Sequence, residues 1–457
     1  MLTVNDKIFK AYDIRGIYGQ DFDDSFAYKL GLAFVSLRKN DPDFQNNSPL
    51  RVAVGADMRV SSPALKESLI RGLIDAGAEA VDLGLVSTPT LYFAVGHYKY
   101  TGGIMISASH NPKEWNGFKL VRAKGLPVSG ETGLSWLKEE ILSNRQIKSK
   151  DSGKLSKETG TLQEELVYAL SFLPKTGVKP FKIVADAANG MGATYLDPLL
   201  SALPVSLSRL NFELDGTFPN HEADPLKPEN IAELSQAVIS TRADLGIATD
   251  GDGDRVFFVD NKGKTIDPSI IRGLLAKIFL VDKPGAKIGY DARPGKITSD
   301  LILESGGQPV ITRVGHSLIK EQMLKENIYF AGESSGHFFL QGEAGCFEYP
   351  PVMIMRLLSY FSSLNEDISS NLKKYYRYFH SGEINREVKN PDIVFSAIEK
   401  TYQTGRISKL DGITVEYEDF WFNVRASNTE SKMRLNLEAT SQDIMEKRRD
   451  EVLGLIK

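Results

Sequence analysis

Short apolar runs recur along the chain, each broken by a small polar turn and followed by apolar residues at helical spacing. Three stretches share this pattern closely: RVAVGADMRVSSPALKESLI with Asp57, KIVADAANGMGATYLDPLL with Asp186, and KIGYDARPGKITSDLILES with Asp291. Each leads into another apolar run, AVDLGLV, PVSLSRL or PVITRV. Strands alternating with helices predict parallel α/β sheets, whose ligands sit at the carboxyl ends of the strands, in the loops that follow them. The copies lie more than a hundred residues apart, which predicts repeated domains and not a solenoid.

The polar stretch SNRQIKSKDSGKLSKETG at 143–160 has the composition of a linker or exposed excursion, and it precedes the helix-like LQEELVYALSFL. With further boundaries after VFFVD near Asp260 and near SSLNEDISSNLKK, the expected domains are 1–155, 156–259, 260–368 and 369–457. The last closes with the alternating strand MRLNLEA and an amphipathic helix capped by Ser441, which makes it a smaller α+β domain. Ile270 to Val281 is too short to span a bilayer and carries Arg272 and Lys277, so it reads as a buried helix.

A length of 457 residues exceeds what one hydrophobic core supports and agrees with roughly three or four domains. The 42% apolar and 25% charged residues are the balance of a soluble globular chain. Lys and Arg number 55 against 59 Asp and Glu; a net charge of −4 argues against a surface built to neutralise a nucleic-acid backbone. An anionic ligand would need local basic clusters. The single cysteine, Cys346, cannot form an intramolecular disulfide, and MLTVNDKIFK lacks the apolar core of a signal peptide; both predict a cytoplasmic protein.

Four loops could carry chemistry. In TGGIMISASHNPKEWNGFKL the apolar run ends at Ser107 and the chain turns through Ser109, His110, Asn111 and Pro112. A hydroxyl at a strand end suits nucleophilic or phosphoryl-carrier work, with His110 and Lys119 as partners; the plainer reading is a structural turn. In GIATDGDGDRVFFVD, Asp250, Asp252 and Asp254 crowd one loop between two apolar runs. A like-charge pair at about 4 Å costs roughly 4 kcal/mol at an effective dielectric of about 20, so the cluster favours a divalent cation, and all-oxygen ligation favours magnesium over zinc. Arg255 and Asn261 stand where a calcium loop needs Gly and Glu; a solvated acidic turn is the alternative.

The third loop, YFAGESSGHFFL, reads as strand, turn and strand and carries Glu333, Ser335 and His337 at every second residue, which an extended backbone would turn to one side, a set suited to a vicinal diol. An ordinary hairpin turn explains it equally well. The fourth, NVRASNTESKMRLNLEA, offers Arg425, Ser427, Asn428 and Thr429 to a phosphate. Ser427 and Glu430 have capping-box spacing, but Met433, Leu435, Leu437 and Ala439 then alternate as in a strand, which leaves no helix to cap. Two weaker places are FKAYDIRG, with Tyr12 and Arg15, and TRVGHSLIKEQM, where Gly315, His316 and Ser317 join a strand to a helix that Ser317 itself could cap. His97, His221 and His380 have no comparable setting and default to core or surface roles.

The ordered set AYDIRG, SASHNP, DGDGDR, GHS, GESSGH and RASNTE, spanning essentially the whole chain, resembles the α-D-phosphohexomutase superfamily, nearest to the bacterial phosphomannomutase/phosphoglucomutase branch. The resemblance implies three similar α/β domains with mixed sheets and a smaller α+β C-terminal domain around a central cleft. It implies interconversion of hexose 1-phosphate and hexose 6-phosphate through a phosphorylated Ser109, with a hexose 1,6-bisphosphate as activator and reorienting intermediate. Ser109, Asp250, Asp252 and Asp254 would then hold Mg2+. Arg15, His110, Lys119, Arg255 and His337 would surround the transferring group, while Glu333 and Ser335 would hold sugar hydroxyls. Tyr12, Arg293, Gly315, His316 and Arg434 would line the substrate, and Arg425, Ser427, Asn428 and Thr429 would clamp the phosphate that is not reacting.

Glu430 and Ser431 replace a proline common in that clamp, and Arg293 stands where many relatives carry lysine. NGFK and RASNTE favour the mannose/glucose branch over glucosamine. The expected partners are small phosphosugars, with no nucleic acid and no membrane, in a monomer or weak homo-oligomer. A magnesium-dependent sugar-phosphate phosphatase and a non-catalytic sugar-phosphate binder are the competing readings.

Overall fold

All three Asp-bearing stretches fold as strand, turn, helix and strand. The computed structural model describes residues 4–41, 50–143, 152–293, 295–426 and 432–456. They pack as two units, Met1–Thr265 with Phe338–Ile368, and Ile266–His337 with Ser369–Lys457.

In the first unit, Ile14–Ile17 (β1), Arg51–Ala56 (β2), Glu79–Leu85 (β3), Gly102–Ile106 (β4), Trp115–Arg122 (β5) and Lys154–Lys157 (β6) form one sheet in the order β1-β5-β4-β2-β3-β6. Phe181–Asp186 (β7), Val205–Leu210 (β8), Leu245–Thr249 (β9) and Val256–Asp260 (β10) form a second, ordered β10-β9-β7-β8. The order β5-β4-β2-β3 repeats as β10-β9-β7-β8. In each copy the strand leading to the shared Asp, β2 or β7, has a parallel neighbour on both sides. The fourth strand, β5 or β10, runs antiparallel, so the sheets are mixed where alternation alone predicts parallel ones. The two strands are joined by a loop too short for a crossover helix, and only an antiparallel pair can be so joined.

The second unit carries the third copy: Lys287–Asp291 (β11) pairs in parallel with Gln308–Thr312 (β12) and Ile328–Gly332 (β13). The hairpin Phe338–Gly342 (β14) and Gly345–Glu348 (β15) belongs to the first unit. In the second unit's C-terminal part, Phe379–His380 (β16), Ile384–Glu387 (β17), Arg406–Ser408 (β18), Ile413–Glu416 (β19), Phe420–Ala426 (β20) and Lys432–Ala439 (β21) make an antiparallel sheet ordered β16-β21-β20-β19-β18, with β17 also on β21. Val394 and Ile398 from the helix Pro391–Thr401, and Met445 and Val452 from the helix Gln442–Leu455, pack with Phe422, Val424, Leu435 and Leu437 into its core.

Several local expectations hold. Ser441 accepts from the Ile444 N–H and caps the last helix. The run at Ile270–Val281 lies in the helix Pro268–Asp282, buried along most of its length. The stretch read as a linker differs: residues 144–151 lie outside the described residues, but Lys154–Lys157 adds as an edge strand parallel to β3. Edge strands need no apolar face, and this one is mostly exposed, so no pattern announced it. No helix among the described residues is long and apolar enough to cross a membrane.

Candidate active site

Ser109 sits three residues beyond β4, in the left-handed region at φ +52, a conformation that costs a serine of order 1–3 kcal/mol and must be imposed by its surroundings. Its N–H donates to Ser107 Oγ at 2.9 Å, and its hydroxyl donates to Asp250 Oδ2 at 2.7 Å, from a loop 141 residues further along the chain. His110 Nδ1 lies 3.3 Å from the same Oγ. Burial, then the nearby Arg255 and Arg15, hold the His110 imidazole well below its ordinary pKa and therefore neutral.

The acidic loop joins β9 to β10, and Asp250, Asp252 and Asp254 are all buried, each offering an oxygen within 4.8 Å of the others. Burial, then Asp254 and Asp252, push the Asp250 carboxyl up to about 7. Lys119 on β5 reaches across to Asp252 Oδ2 at 2.5 Å and Asp254 Oδ2 at 2.6 Å. Its own burial opposes the charge, but the two carboxylates outweigh that and hold it firmly protonated. Arg255 Nε lies 3.7 Å from Asp250 Oδ2, while Thr88 Oγ1 donates to Asp252 Oδ2 at 2.5 Å. Among the described residues Asp252 Oδ1 is a buried carboxylate oxygen with no hydrogen-bond partner. Three converging hard oxygen donors, one of them unpartnered, fit a divalent cation of the magnesium type.

Arg15 on β1 is fixed to the serine loop: Nε donates to Asp13 at 2.7 Å, and Nη1 to Asn111 Oδ1 at 2.8 Å. Tyr12 lies half-buried just before that strand. In the first unit the structure therefore gathers Ser109, His110, Lys119, Arg15, Arg255 and the three aspartates.

The second unit gathers another set. Glu333 Oε2 accepts from Ser335 Oγ at 2.7 Å and faces His337 Nδ1 at 3.0 Å; its Oε1 accepts from the Gly315 N–H at 3.0 Å and lies 3.2 Å from Arg293 Nη2. Burial would raise the Glu333 carboxyl, but His337, Arg293 and Ser335 outweigh it and hold it far below the usual carboxylate range. These three residues are not aligned by an extended strand, as the spacing suggested. They lie in a turn after β13, closed by Gly336 N–H to Glu333 O at 3.1 Å and Glu333 N–H to His337 O at 2.9 Å. His316, the first residue of the helix His316–Glu326, places its ring 5.9 Å from that of His337. Ser317 does not cap this helix: Gly315 is the N-cap, and Ser317 is buried. Arg425 and Arg434 are opposite each other on β20 and β21, 3.7 and 3.4 Å from Glu383. Ser427, Asn428 and Thr429 lie outside the described residues.

Sequence reasoning missed Thr88, Arg59 and the pairing of Asp291 with Arg272 at 2.5 Å. One signal was available: the repeated Asp is followed two positions on by Arg59 in the first copy and Arg293 in the third.

Four family models match in succession: the alpha/beta/alpha domains I, II and III of phosphoglucomutase/phosphomannomutase at residues 6–148, 165–263 and 267–377, and the C-terminal domain at 383–455. A phosphomannomutase of Vibrio cholerae is 38% identical over 98% of both chains. A protein of Xanthomonas campestris named for phosphohexose mutases is 35% identical over 98% of this chain and 99% of its own. A crystal structure of a phosphoglucomutase/phosphomannomutase family protein from Burkholderia thailandensis superposes with a TM-score of 0.90 at 31% identity, covering 100% of this chain and 98% of the other.

Proposed function

The chain belongs to the phosphoglucomutase/phosphomannomutase family and is a phosphotransferase isomerase, and from that premise we propose that it interconverts the 1- and 6-phosphates of mannose, glucose or both through a phosphorylated Ser109. The observation that supports this reading is the 2.7 Å bond from the Ser109 hydroxyl to Asp250, which joins a serine hydroxyl to the acidic cluster.

A phosphate on Ser109 would carry about −1.5 to −2 charges, a barrier to any anionic substrate. Magnesium held by Asp250, Asp252, Asp254 and that phosphate would supply the compensating positive charge. Lys119, Arg15 and Arg255 add fixed cations around the same oxygen, where they stabilise the charge that spreads over a transferring phosphoryl group. In the forward step the bond from phosphorus to Ser109 Oγ breaks as the bond to the sugar hydroxyl forms, and the proton that hydroxyl loses is balanced by the one Ser109 Oγ takes up to become a hydroxyl again. The product is a hexose 1,6-bisphosphate, which must turn round so that its other phosphate returns to Ser109.

Recognition falls to the second unit. Glu333, an obligate acceptor at neutral pH, takes sugar hydroxyls beside Ser335 and His337, while Arg293, Arg425 and Arg434 take the phosphate that is not reacting. Ser427, Asn428 and Thr429, with two hydroxyls and an amide, are assigned to the same phosphate by residue type. The lone Cys346, buried and reduced, accords with a cytoplasmic enzyme.

The test is to incubate the protein with magnesium, a trace of hexose 1,6-bisphosphate and mannose, glucose or glucosamine 1-phosphate, and to measure the 6-phosphate and inorganic phosphate. The expected result is isomerised mannose or glucose phosphate without phosphate release. Inorganic phosphate alone would make the protein a phosphatase, and no product from any sugar would overturn the mutase reading.

A further inference from the structure

Beneath the serine loop lies a residue that the scheme above does not use. Arg59 follows β2 by three positions, and its side chain is fully buried. A guanidinium has five N–H donors in a planar fork, and here all five are engaged. Nε donates to Asp57 Oδ2 at 3.2 Å. Nη1 donates to the carbonyls of Pro112 at 2.7 Å and Trp115 at 2.9 Å, and Nη2 to those of Ser109 at 2.9 Å and Asn111 at 2.6 Å. One side chain thus gathers four carbonyls from the seven-residue span 109–115, including that of Ser109 itself.

The geometry points to Arg59 as the positioning residue that holds Ser109 in its left-handed conformation for phosphoryl transfer, an inference that rests on the mutase reading. A strained residue persists only where its surroundings over-determine it. The serine N–H is tied to Ser107 Oγ, but its carbonyl is fixed from the other side by Arg59. The clamp is itself braced. Asp57 Oδ1 accepts from the Arg59 N–H at 3.0 Å and from Ser62 Oγ at 2.6 Å, so the carboxylate that balances the guanidinium cannot swing away. The ring of Phe218 lies 5.1 Å from the guanidinium carbon, and a side chain on Gly216 would strike Arg59 Cα at 2.5 Å, so the chain at Gly216 and Phe218 packs directly against it.

Lysine cannot substitute. Its three donors would leave at least two of these five bonds unmade in a buried site. Arg59 touches no substrate in the proposed scheme, so its loss should misplace the Ser109 oxygen while leaving ground-state recognition alone. A displacement of about 1 Å at a reacting atom costs about 100-fold in rate.

The experiment uses the full chain with Arg59→Met, Arg59→Lys and, as a matched control, Arg38→Met. Arg38 is another buried arginine of the same domain, bonded to Thr101 O and Asp41 and not to the serine loop. Turnover per folded molecule is measured with magnesium and hexose 1-phosphate, alongside hydrogen exchange of the amides at 107–117. Arg59→Met is expected to lower kcat about 100-fold with KM within threefold, Arg59→Lys to fall between it and wild type. Both should speed exchange at 107–117, and Arg38→Met should do neither. A kcat within threefold of wild type, an equal loss in Arg38→Met, or a raised KM with kcat preserved would overturn the inference. Should wild type itself isomerise no hexose phosphate, the mutase reading fails, and the exchange arm decides independently: unchanged exchange in the folded Arg59→Lys protein sinks the clamp.

Discussion

Lys119 shows how much a single residue can carry at this site. Asp250, Asp252 and Asp254 are buried together, and Lys119 neutralises two of them at 2.5 and 2.6 Å. Removing one partner from a buried ion pair costs about 3–5 kcal/mol, because the other charge stays behind uncompensated. Lys119→Met should therefore melt well below wild type without metal, and magnesium should raise its melting temperature by more than it raises that of wild type. Equal shifts in a thermal scan would show that lysine and metal do not share these carboxylates. Ser109→Ala removes the carrier oxygen and little else; turnover should vanish while hexose-phosphate binding, read by calorimetry, stays within a few-fold. Unchanged turnover would refute the phosphoserine scheme. Both residues were legible in the sequence, Ser109 in a compact polar motif that ends an apolar strand and Lys119 as a cation set between Phe118 and Leu120 in the run that follows. Arg59 was marked only by its place two positions after the repeated Asp; apart from Asp57 its partners are backbone carbonyls, which no side-chain pattern marks.

At the scale of elements, the loops meet by close backbone approach, and glycine decides how close. Gly251 lies between two of the aspartates, and a Cβ built there would stand 2.5 Å from the Ser109 carbonyl oxygen. Gly251→Ala must push the two loops apart. Overpacking of this kind costs about 1–3 kcal/mol, and the displaced serine should lose at least about 10-fold in kcat with a smaller change in KM. A variant with wild-type kinetics would show that the loops slide freely. Alternation in the sequence correctly announced β21, whose Met433, Leu435 and Leu437 enter the core. It could not announce that Asn436 and Glu438, on the polar face, are buried too; Glu438 is met there by the N–H groups of Gly295 and Lys296, far away in sequence, and Asn436 bonds to Glu383. The run YFAGESSGHFFL announced a strand, turn and strand, but not that Glu333, Ser335 and His337 all lie in the turn: period-two spacing fits a pleated strand and a tight turn alike, and only the hydrogen bonds across the turn choose between them.

For the whole molecule, the triplicated strand–Asp–helix pattern made the architecture readable, since each copy repeats one topology; how the copies divide into two packing units is a matter of long-range contacts and left no local trace. Each unit also hides a glutamate that couples its stability to pH. Burial, against a bond from Thr90 Oγ1, pushes the Glu165 carboxyl in the first unit up to about 7. In the second, burial does the same to Glu438, up to about 7, against donors from Lys296, Trp421 and Gly295. An unfolded glutamate gives up its proton near pH 4.3, so each native unit retains a proton that its unfolded chain releases. The stabilisation is complete below about pH 4.3 and is lost as pH rises through about 7, up to roughly 4 kcal/mol for each group. Glutamine cannot titrate and keeps an amide oxygen for the same donors. Glu438→Gln should therefore gain on wild type from pH 5 to about pH 7 and level off by pH 8. Denaturant unfolding can be followed at Trp421, the second unit's one tryptophan, which itself donates to Glu438 at 2.8 Å, in a chain with Trp115 and Trp136 replaced by Phe. Glu165→Gln should behave in the same way in the first unit. A stability difference between glutamine and glutamate that stays constant across that range would mean that the carboxyl is ionised throughout, the three donors having outweighed its burial.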